Sequence, residues 1–208
     1  MKKTPELPDL AQGLLAGARE NEEFEVCLSR GRSTTVKAYS GKVESVRSGA
    51  SQAVGVRIVV DGRQGFATAG SLDPEVLKEV VEEARENLKF AERDPDQGIA
   101  IPDGVAPPGL DLTDPAVLRL TEEDRAAVAI ELEQRCLSSD SRITGVRSSA
   151  WSDGWGEFAL ASTSGIAVQS EGGSCSIGVQ PLAMQGSETQ IGYAGDAARR
   201  PDALDLDR

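Results

Sequence analysis

The stretch Ala53-Val54-Gly55-Val56-Arg57-Ile58-Val59-Val60-Asp61-Gly62-Arg63-Gln64-Gly65-Phe66-Ala67-Thr68-Ala69 decides the fold class. Ala53 to Val60 is the most apolar strand of the chain. Its β-branched side chains suit a pleated, half-buried surface. Asp61-Gly62 is a strong signal for a two-residue hairpin, and Gln64 to Ala69 returns beside the first strand. Upstream, Phe24-Glu25-Val26-Cys27-Leu28-Ser29 alternates with period two and reads as a half-buried strand. Thr34 to Tyr39 is a second strand, and Ser40-Gly41 turns the chain into Lys42-Val43-Glu44-Ser45-Val46. Before this meander, Leu7 to Asn21 reads as a helix, because Leu10, Leu14, Leu15 and Ala18 share one face. After it, Asp73-Pro74 opens another helix, with Asp as cap and Pro in the first turn. Leu77, Val80, Val81, Ala84 and Leu88 form its inner stripe.

The expected fold is therefore α+β: a two-layer antiparallel sheet with helices on one face, followed by a second, mostly-β unit with one helix. Residues 1–93 form the first domain. Residues 94–115 are a Pro/Gly-rich linker or surface crossing, punctuated by Asp94-Pro95, Pro102-Asp103-Gly104, Pro107-Pro108-Gly109 and Asp114-Pro115. Residues 116–208 form a central domain. Its helix runs from Glu122 to about Ser138, opened by a capping box of Thr121 and Asp124. Strands are expected over Ile143–Trp151, Gly156–Thr163, Ile166–Gln169, Ser174–Ala183 and Ser187–Tyr193. Turns are expected at Gly154, Gly165, Gly172-Gly173 and Gly186. Without long helices alternating with strands, a doubly wound nucleotide-binding sheet does not fit. The polar tail from Ala197 ends without a cap or strand, and the chain looks cut short there.

Charge and composition exclude several function classes. Across 208 residues, 34 Asp and Glu outweigh 22 Lys and Arg, a net charge of −12. Such a surface repels phosphate backbones, so nucleic acid is not an expected partner. Histidine is absent, which removes Ser-His and Cys-His pairs, His bases and His metal ligands from these residues. The longest apolar run, Ala126–Ile130, is far short of the roughly 20 residues a membrane helix needs. Met1-Lys2-Lys3 is basic, but the polar Thr4-Pro5-Glu6-Leu7-Pro8-Asp9 follows where a signal peptide would be apolar. The reading is cytoplasmic and without membrane contact. Three scattered cysteines, Cys27, Cys136 and Cys175, lack CxxC spacing and are expected as unpaired buried thiols.

Five clusters invite a chemical reading, and each has a plainer one. Gly172-Gly173-Ser174-Cys175-Ser176 is glycine-rich but lacks the lysine and following helix of a phosphate loop, so it reads as a hairpin turn. Asp202, Asp205 and Asp207 lack the glycine and distal glutamate of a calcium loop, and read as a solvated tail. Glu82, Glu83 and Glu86 fall on the water-facing side of their helix. Trp151-Ser152-Asp153-Gly154-Trp155 forms either a ligand-stacking lip or, preferably, a cover for the sheet. Arg57 and Arg63, with Arg47 nearby, are either an anion or partner patch or simply soluble strand faces. No catalytic, cofactor-binding or metal-binding residue is assigned, and no cofactor is expected in this chain.

Tyr39-Ser40-Gly41-Lys42-Val43-Glu44-Ser45-Val46 followed by Ala53 to Ala67 resembles the amino-terminal domain of the TldD/PmbA family. Asp94 to Ala100 and Leu110-Asp111-Leu112 resemble that family's linker. Arg142-Ile143-Thr144-Gly145-Val146 and Ala161 to Ile166 resemble its central domain, closer to the PmbA (TldE) branch. The resemblance covers nearly the whole chain but about the first half of a full-length member. It implies cytoplasmic metallopeptidases acting on small or unfolded peptides, with TldD-type and PmbA-type chains paired as a heterodimer. It also implies a zinc motif, HExxxH, in a carboxy-terminal domain supplied by the TldD-type partner. Nothing in this sequence matches that motif, so no catalytic residue carries over.

The expected function is thus the amino-terminal half of a PmbA/TldE-like subunit, non-catalytic, which shapes a substrate channel and docks a TldD-type partner or a second copy of itself. The alternative is a peptide-binding or interaction module, in which sheet edges take up an extended peptide by main-chain hydrogen bonds. A hydrolase built on a carboxylate pair would need two converging Asp or Glu side chains with separated pKa values. No such pair is evident.

Overall fold

Asp61 and Gly62 have φ of 50° and 72°, the two left-handed residues that a type I′ turn requires. They join β2 (Lys42–Val60) to β3 (Arg63–Ala69), with Val60 opposite Arg63 and Val54 opposite Ala69. Ser40 and Gly41, at 52° and 72°, make the same kind of turn between β1 (Glu23–Tyr39) and β2. The computed structural model describes residues 5–106 and 108–207. The basic start at Met1-Lys2-Lys3 with Thr4, the first proline of Pro107-Pro108-Gly109, and Arg208 lie outside the described residues.

The remaining elements are α1 (Leu7–Leu15), α2 (Pro74–Asn87), α3 (Pro115–Arg119), α4 (Glu122–Ser139), β4 (Ile143–Ser162), β5 (Ala167–Gln185), β6 (Glu188–Ile191) and β7 (Ala194–Ala198). The strand order is β3-β2-β1-β4-β5-β6, and β7 also pairs with β5. The α+β class and the antiparallel sheet agree with the sequence reading.

The strands are longer than expected. Phe24–Ser29 and Thr34–Tyr39 are one strand, as are Lys42–Val46 and Ala53–Val60. The segments on either side of Gly154 merge into β4, and those on either side of Gly172-Gly173 merge into β5. The turns expected at Gly154 and Gly172-Gly173 do not exist. These glycines sit inside strands, where small residues let a neighbour approach. A Cβ on Gly173 would lie 3.3 Å from the Gly154 carbonyl oxygen.

The chain divides into two compact units, each discontinuous in sequence. One comprises the chain up to Gly31 with Ser51–Leu110 and Gly156–Glu171; the other comprises Arg32–Ala50, Asp111–Trp155 and the chain from Gly172 onward. In the first unit, Phe24, Val26 and Leu28 of β1 and Val54, Val56 and Ile58 of β2 are buried. They pack with Leu7 and Ala11 of α1 and Leu77, Val80, Val81 and Ala84 of α2. Helix α2 lies directly on β3: a Cβ on Gly65 would stand 1.9 Å from the Ala84 carbonyl oxygen and 2.9 Å from Leu88. Only glycine permits that approach. Two helix signals behave differently from expectation. α1 stops at Leu15 rather than near Asn21, since Gly17 follows and glycine is a poor helix former. Asp73 makes no side-chain cap; its N–H instead donates to Ser71 Oγ at 3.1 Å, and Pro74 begins the helix alone.

The second unit has its own core of Ala38, Val117, Ala129, Leu132, Val146, Trp151, Cys175, Ile177 and Val179. Its helix α4 carries the expected capping box, with Thr121 Oγ1 accepting from Asp124 N–H and the Asp124 carboxylate accepting from Thr121 N–H. The short α3 has no counterpart in the sequence reading. Its Asp114 cap accepts from Ala116 N–H at 2.7 Å.

Candidate functional site

The buried ionisable groups are the natural place to look for chemistry, because burial is where pKa values are tuned. In the second unit, Ala129, Leu132 and Glu133 form the buried inner face of α4, and Glu133 is 2% exposed. A carboxylate in that position needs strong partners. It has them: Oε1 accepts from Ser40 N–H and Oε2 from Gly41 N–H, each at 2.7 Å. The carboxylate therefore clasps the β1–β2 turn, whose two left-handed residues point their amides the same way. Sequence reasoning missed Glu133. The signal was there, a Glu at an inward position of the Ala129, Leu132, Cys136 stripe.

A second buried group joins α4 to β4. Arg125 donates from Nε to Asp153 Oδ2 at 2.5 Å and from Nη2 to Oδ1 at 3.0 Å. Trp151 Nε1 donates to the same Oδ2 at 2.8 Å, and Arg125 Nη1 donates to the Leu120 carbonyl. The hydrogen bond from Arg125 to Asp153 raises the arginine pKa further. Trp151 is 1% exposed, so it covers the sheet and cannot stack on a ligand. Trp155 rests against Gly173, with Cδ1 3.9 Å from where a Cβ would stand. Its Nε1, like Thr113 Oγ1, is buried without a hydrogen-bond partner among the described residues.

In the first unit, Arg85 donates to both carboxylate oxygens of Glu22 at 2.8 Å, to Glu82 at 2.6 Å and to the Gly17 carbonyl at 2.8 Å. The bidentate bond from Arg85 is the main reason Glu22 titrates below the usual carboxylate range. A groove of about 530 Å³ opens beside this network, lined by Arg19, Glu22, Val60, Arg63, Leu88 and Lys89. A second groove of about 400 Å³ lies along the β5–β6 hairpin in the second unit, with Asp140, Arg142, Met184 and Ile191 on its walls. A smaller cavity of about 230 Å³ sits among α4, β5 and the tail, lined by Leu132, Cys136, Ile177, Val179 and Leu206.

The other clusters resolve into contacts of shape rather than reaction. Gly172 to Ser176 is strand, not turn. Asp207 pairs with Arg135 at 2.7 Å and Asp202 with Arg200 at 3.3 Å, while Asp205 N–H donates to Asp196. Glu82 and Glu86 bind Arg85 and Lys89. Arg57 pairs with Glu25 at 3.1 Å, and Arg63 donates to the Ala91 carbonyl, so these arginines are not a shared anion patch. Of the cysteines only Cys175 is buried; Cys136 is half-buried and Cys27 exposed. The expectation of three buried thiols fails at Cys27, which occupies an odd position of β1 between the inward Val26 and Leu28. Burial, with Asp153, Asp114 and Asp202 nearby, pushes the Cys175 thiol up to about 11. Among the described residues, no group of three His, Cys, Asp or Glu side chains is placed to hold a metal ion. Among them, too, no helix is long and apolar enough to cross a membrane.

Comparison with known proteins supplies the context. Residues 24–88 match the family profile described as PmbA/TldA metallopeptidase domain 1, and residues 115–208 match the PmbA/TldA metallopeptidase central domain. Metalloprotease PmbA of Escherichia coli O157:H7 is 27% identical over 160 residues, which is 76% of this chain and 34% of that protein. The chain thus spans about a third of its curated relative. Among solved structures, TldE from Thermococcus kodakarensis has a TM-score of 0.75 at 18% identity, over 97% of this chain and 43% of that one. A protein from Bacteroides thetaiotaomicron has a TM-score of 0.84 at 19% identity, over 98% of this chain and 47% of its own. At these identities the structures show the fold alone.

Proposed function

Since the chain belongs to the PmbA/TldD metallopeptidase family, we propose that it provides the amino-terminal and central portions of a PmbA/TldE-like subunit that shapes the path of a peptide and docks a TldD-type partner. The observation that carries this reading is the coincidence of two facts. Both family modules are present, and the 208 residues contain no histidine. A zinc site of the HExxxH kind places two imidazoles one helical turn apart, with a glutamate as general base. These residues do not fit such an ion: they lack the imidazoles, and the buried carboxylates Glu22, Glu133 and Asp153 are committed to Arg85, to the Ser40 and Gly41 amides, and to Arg125 with Trp151. The metal and its bound water belong to the partner, in the cytoplasm. What this chain contributes is strands and grooves on which a small or unfolded peptide is held. A second copy of this chain is the competing partner.

Size-exclusion chromatography of the chain mixed with a TldD-type protein tests the pairing. Co-elution is the expected result. Separate elution across the accessible range of salt and pH overturns it.

A further inference from the structure

The β1–β2 hairpin in the second unit carries three features that point to one kind of ligand. The first is an open backbone edge. β3 pairs with β2 only from Val54 to Val60, and β1 is the other neighbour of β2. Among the described residues, Lys42–Ala50 therefore has a strand on one side only. This edge is roughly 30 Å long at the usual rise per residue. Natural edges are guarded by proline, by bulges, by inward charges or by exposed charged side chains, lysine above all; Lys42, Glu44 and Arg47 on this edge disfavour a strand of like charge. Here the edge holds no proline, and Ser45, Ser48, Gly49 and Ala50 keep it narrow.

The second feature is charge. From Arg32 to Ala50 the chain holds Arg32, Lys37, Lys42 and Arg47 against Glu44, four cations and one carboxylate, a net +3 within a chain of −12. Lys37, Lys42 and Arg47 take part in no ion pair among the described residues. That contrasts with Arg57, Arg85, Arg125 and Arg135, each of which holds a carboxylate. The third feature is apolar: Tyr39, Val43 and Val46 are 52%, 45% and 41% exposed on the same hairpin.

We propose that the Lys42–Ala50 edge takes up an extended, acidic polypeptide segment as an added strand. Main-chain N–H and C=O groups of the edge bind the segment regardless of sequence, as in strand addition generally. Lys42 and Arg47, five residues apart and so on opposite faces of the strand, with Lys37 on the adjoining strand, select for carboxylates on the added segment, and Tyr39, Val43 and Val46 cover its apolar side chains. A basic segment would meet the same main-chain groups but would face like charge. A second copy of this chain offers the same basic edge, so self-pairing there places cation against cation. The proposal rests on the peptide-handling part of the functional reading above, and names where and what.

The test uses the full chain and fluorescein-labelled peptides of about twelve residues, followed by anisotropy. One alternates Glu with Val and Thr, one has Lys in place of each Glu, and one is the acidic peptide N-methylated at alternate residues, made in both phases. The expected result is saturable binding of the acidic peptide, about ten-fold or more tighter than the lysine peptide at low salt and converging as salt screens the charges. One phase of N-methylation abolishes binding and the other spares it, since only alternate amides face the edge. The doubly substituted Lys42→Glu, Arg47→Glu chain, verified as folded by circular dichroism, reverses the charge preference. No saturable binding, equal binding of acidic and basic peptides, or indifference to both N-methylated phases each overturns the proposal. Co-elution of the unsubstituted chain with the TldD-type protein, and its binding of the acidic peptide, are measured in parallel. If the complex forms while the acidic peptide fails to bind, the edge proposal falls and the subunit reading stands; the opposite pattern removes the subunit reading alone.

Discussion

Removing the carboxylate of Glu133 should loosen the β1–β2 turn while leaving every apolar side chain of both hydrophobic cores in place. The side chain is 2% exposed and accepts two backbone N–H groups at 2.7 Å. A hydrogen bond to a charged group contributes about 1.5–3 kcal/mol. Two on one carboxylate do not add fully, because the charge is shared and its desolvation opposes folding. A net loss of about 2–4 kcal/mol is therefore expected for Glu133→Ala, part of it from the cavity left on the inner face of α4. For a chain of this length that corresponds to a fall in Tm of roughly 5–15 °C.

Two measurements separate this mechanism from simple loss of volume. In Glu133→Gln the volume stays and one acceptor remains, but an NH2 group now faces one of the two amides. That variant should still lose at least about 1 kcal/mol in urea unfolding. Amide exchange at Ser40 and Gly41 should accelerate in both variants, while exchange in β2 near Val56, which belongs to the other unit, stays as in the parent. Glu133→Ala within about 0.5 kcal/mol of the parent, with the Ser40 and Gly41 amides equally protected, would refute the clasp.

Asp153→Ala leaves the Arg125 guanidinium buried without its carboxylate and Trp151 Nε1 without an acceptor; a loss of about 3–5 kcal/mol is expected, with a red shift in tryptophan emission as the check. Gly65→Ala forces a Cβ to within 1.9 Å of the Ala84 carbonyl oxygen and should cost about 2–3 kcal/mol or more by thermal melt, whereas Gly13→Ala, in α1 with nothing within 4 Å, should stabilise by up to about 1 kcal/mol. The Glu22 pKa is lowered in the folded chain by Arg85, so its contribution is complete above the unfolded value of 4.5 and fades as pH falls through the folded value; urea titrations between pH 7 and pH 3 should show a shallower loss of stability in Arg85→Met than in the parent. Thiol labelling should proceed in the order Cys27, Cys136, Cys175, with Cys175 silent until the chain unfolds, since it is buried and its pKa lies near 11.

The hairpins were legible because their turn residues are decisive. Asp61-Gly62 and Ser40-Gly41 take the left-handed conformations their chemistry suits. Strand lengths were not legible. Each false break, at Arg30 to Ser33, Arg47 to Gln52, Ser152 to Trp155 and Ser170 to Gly173, coincides with a passage of the chain from one compact unit to the other. Side chains there are exposed or half-buried, so the apolar alternation that marks a strand in sequence lapses while backbone pairing continues. Period-two patterning reports burial of side chains, not hydrogen bonding of the main chain. The same distinction explains Glu133. Composition places a glutamate on the wet side of a helix, and only the amides of a turn distant in sequence justify one on the dry side. The Trp151 to Trp155 stretch was legible as a cover for the sheet, although not the Arg125–Asp153 pair that fixes Trp151 in place.

Continuity of the strands beyond their apolar segments also bears on function. A strand that serves only to bury side chains has little reason to extend where its side chains are exposed. Lys42–Ala50 does extend, opposite β1 alone, with small side chains and uncompensated cations. Elsewhere several arginines hold carboxylates, Arg30 with Glu157, Arg57 with Glu25, Arg85 with Glu22 and Arg125 with Asp153, while Arg63, Arg93 and Arg199 donate to backbone carbonyls. In an excess of acid there is no shortage of carboxylates to pair with Lys37, Lys42 and Arg47, and local sequence could have placed one beside each. The isolation of Lys42 and Arg47 on an unpaired edge, with Lys37 on the adjoining strand, is what a site for an acidic strand requires, because a cation already bound to a carboxylate of its own chain offers little to a ligand's.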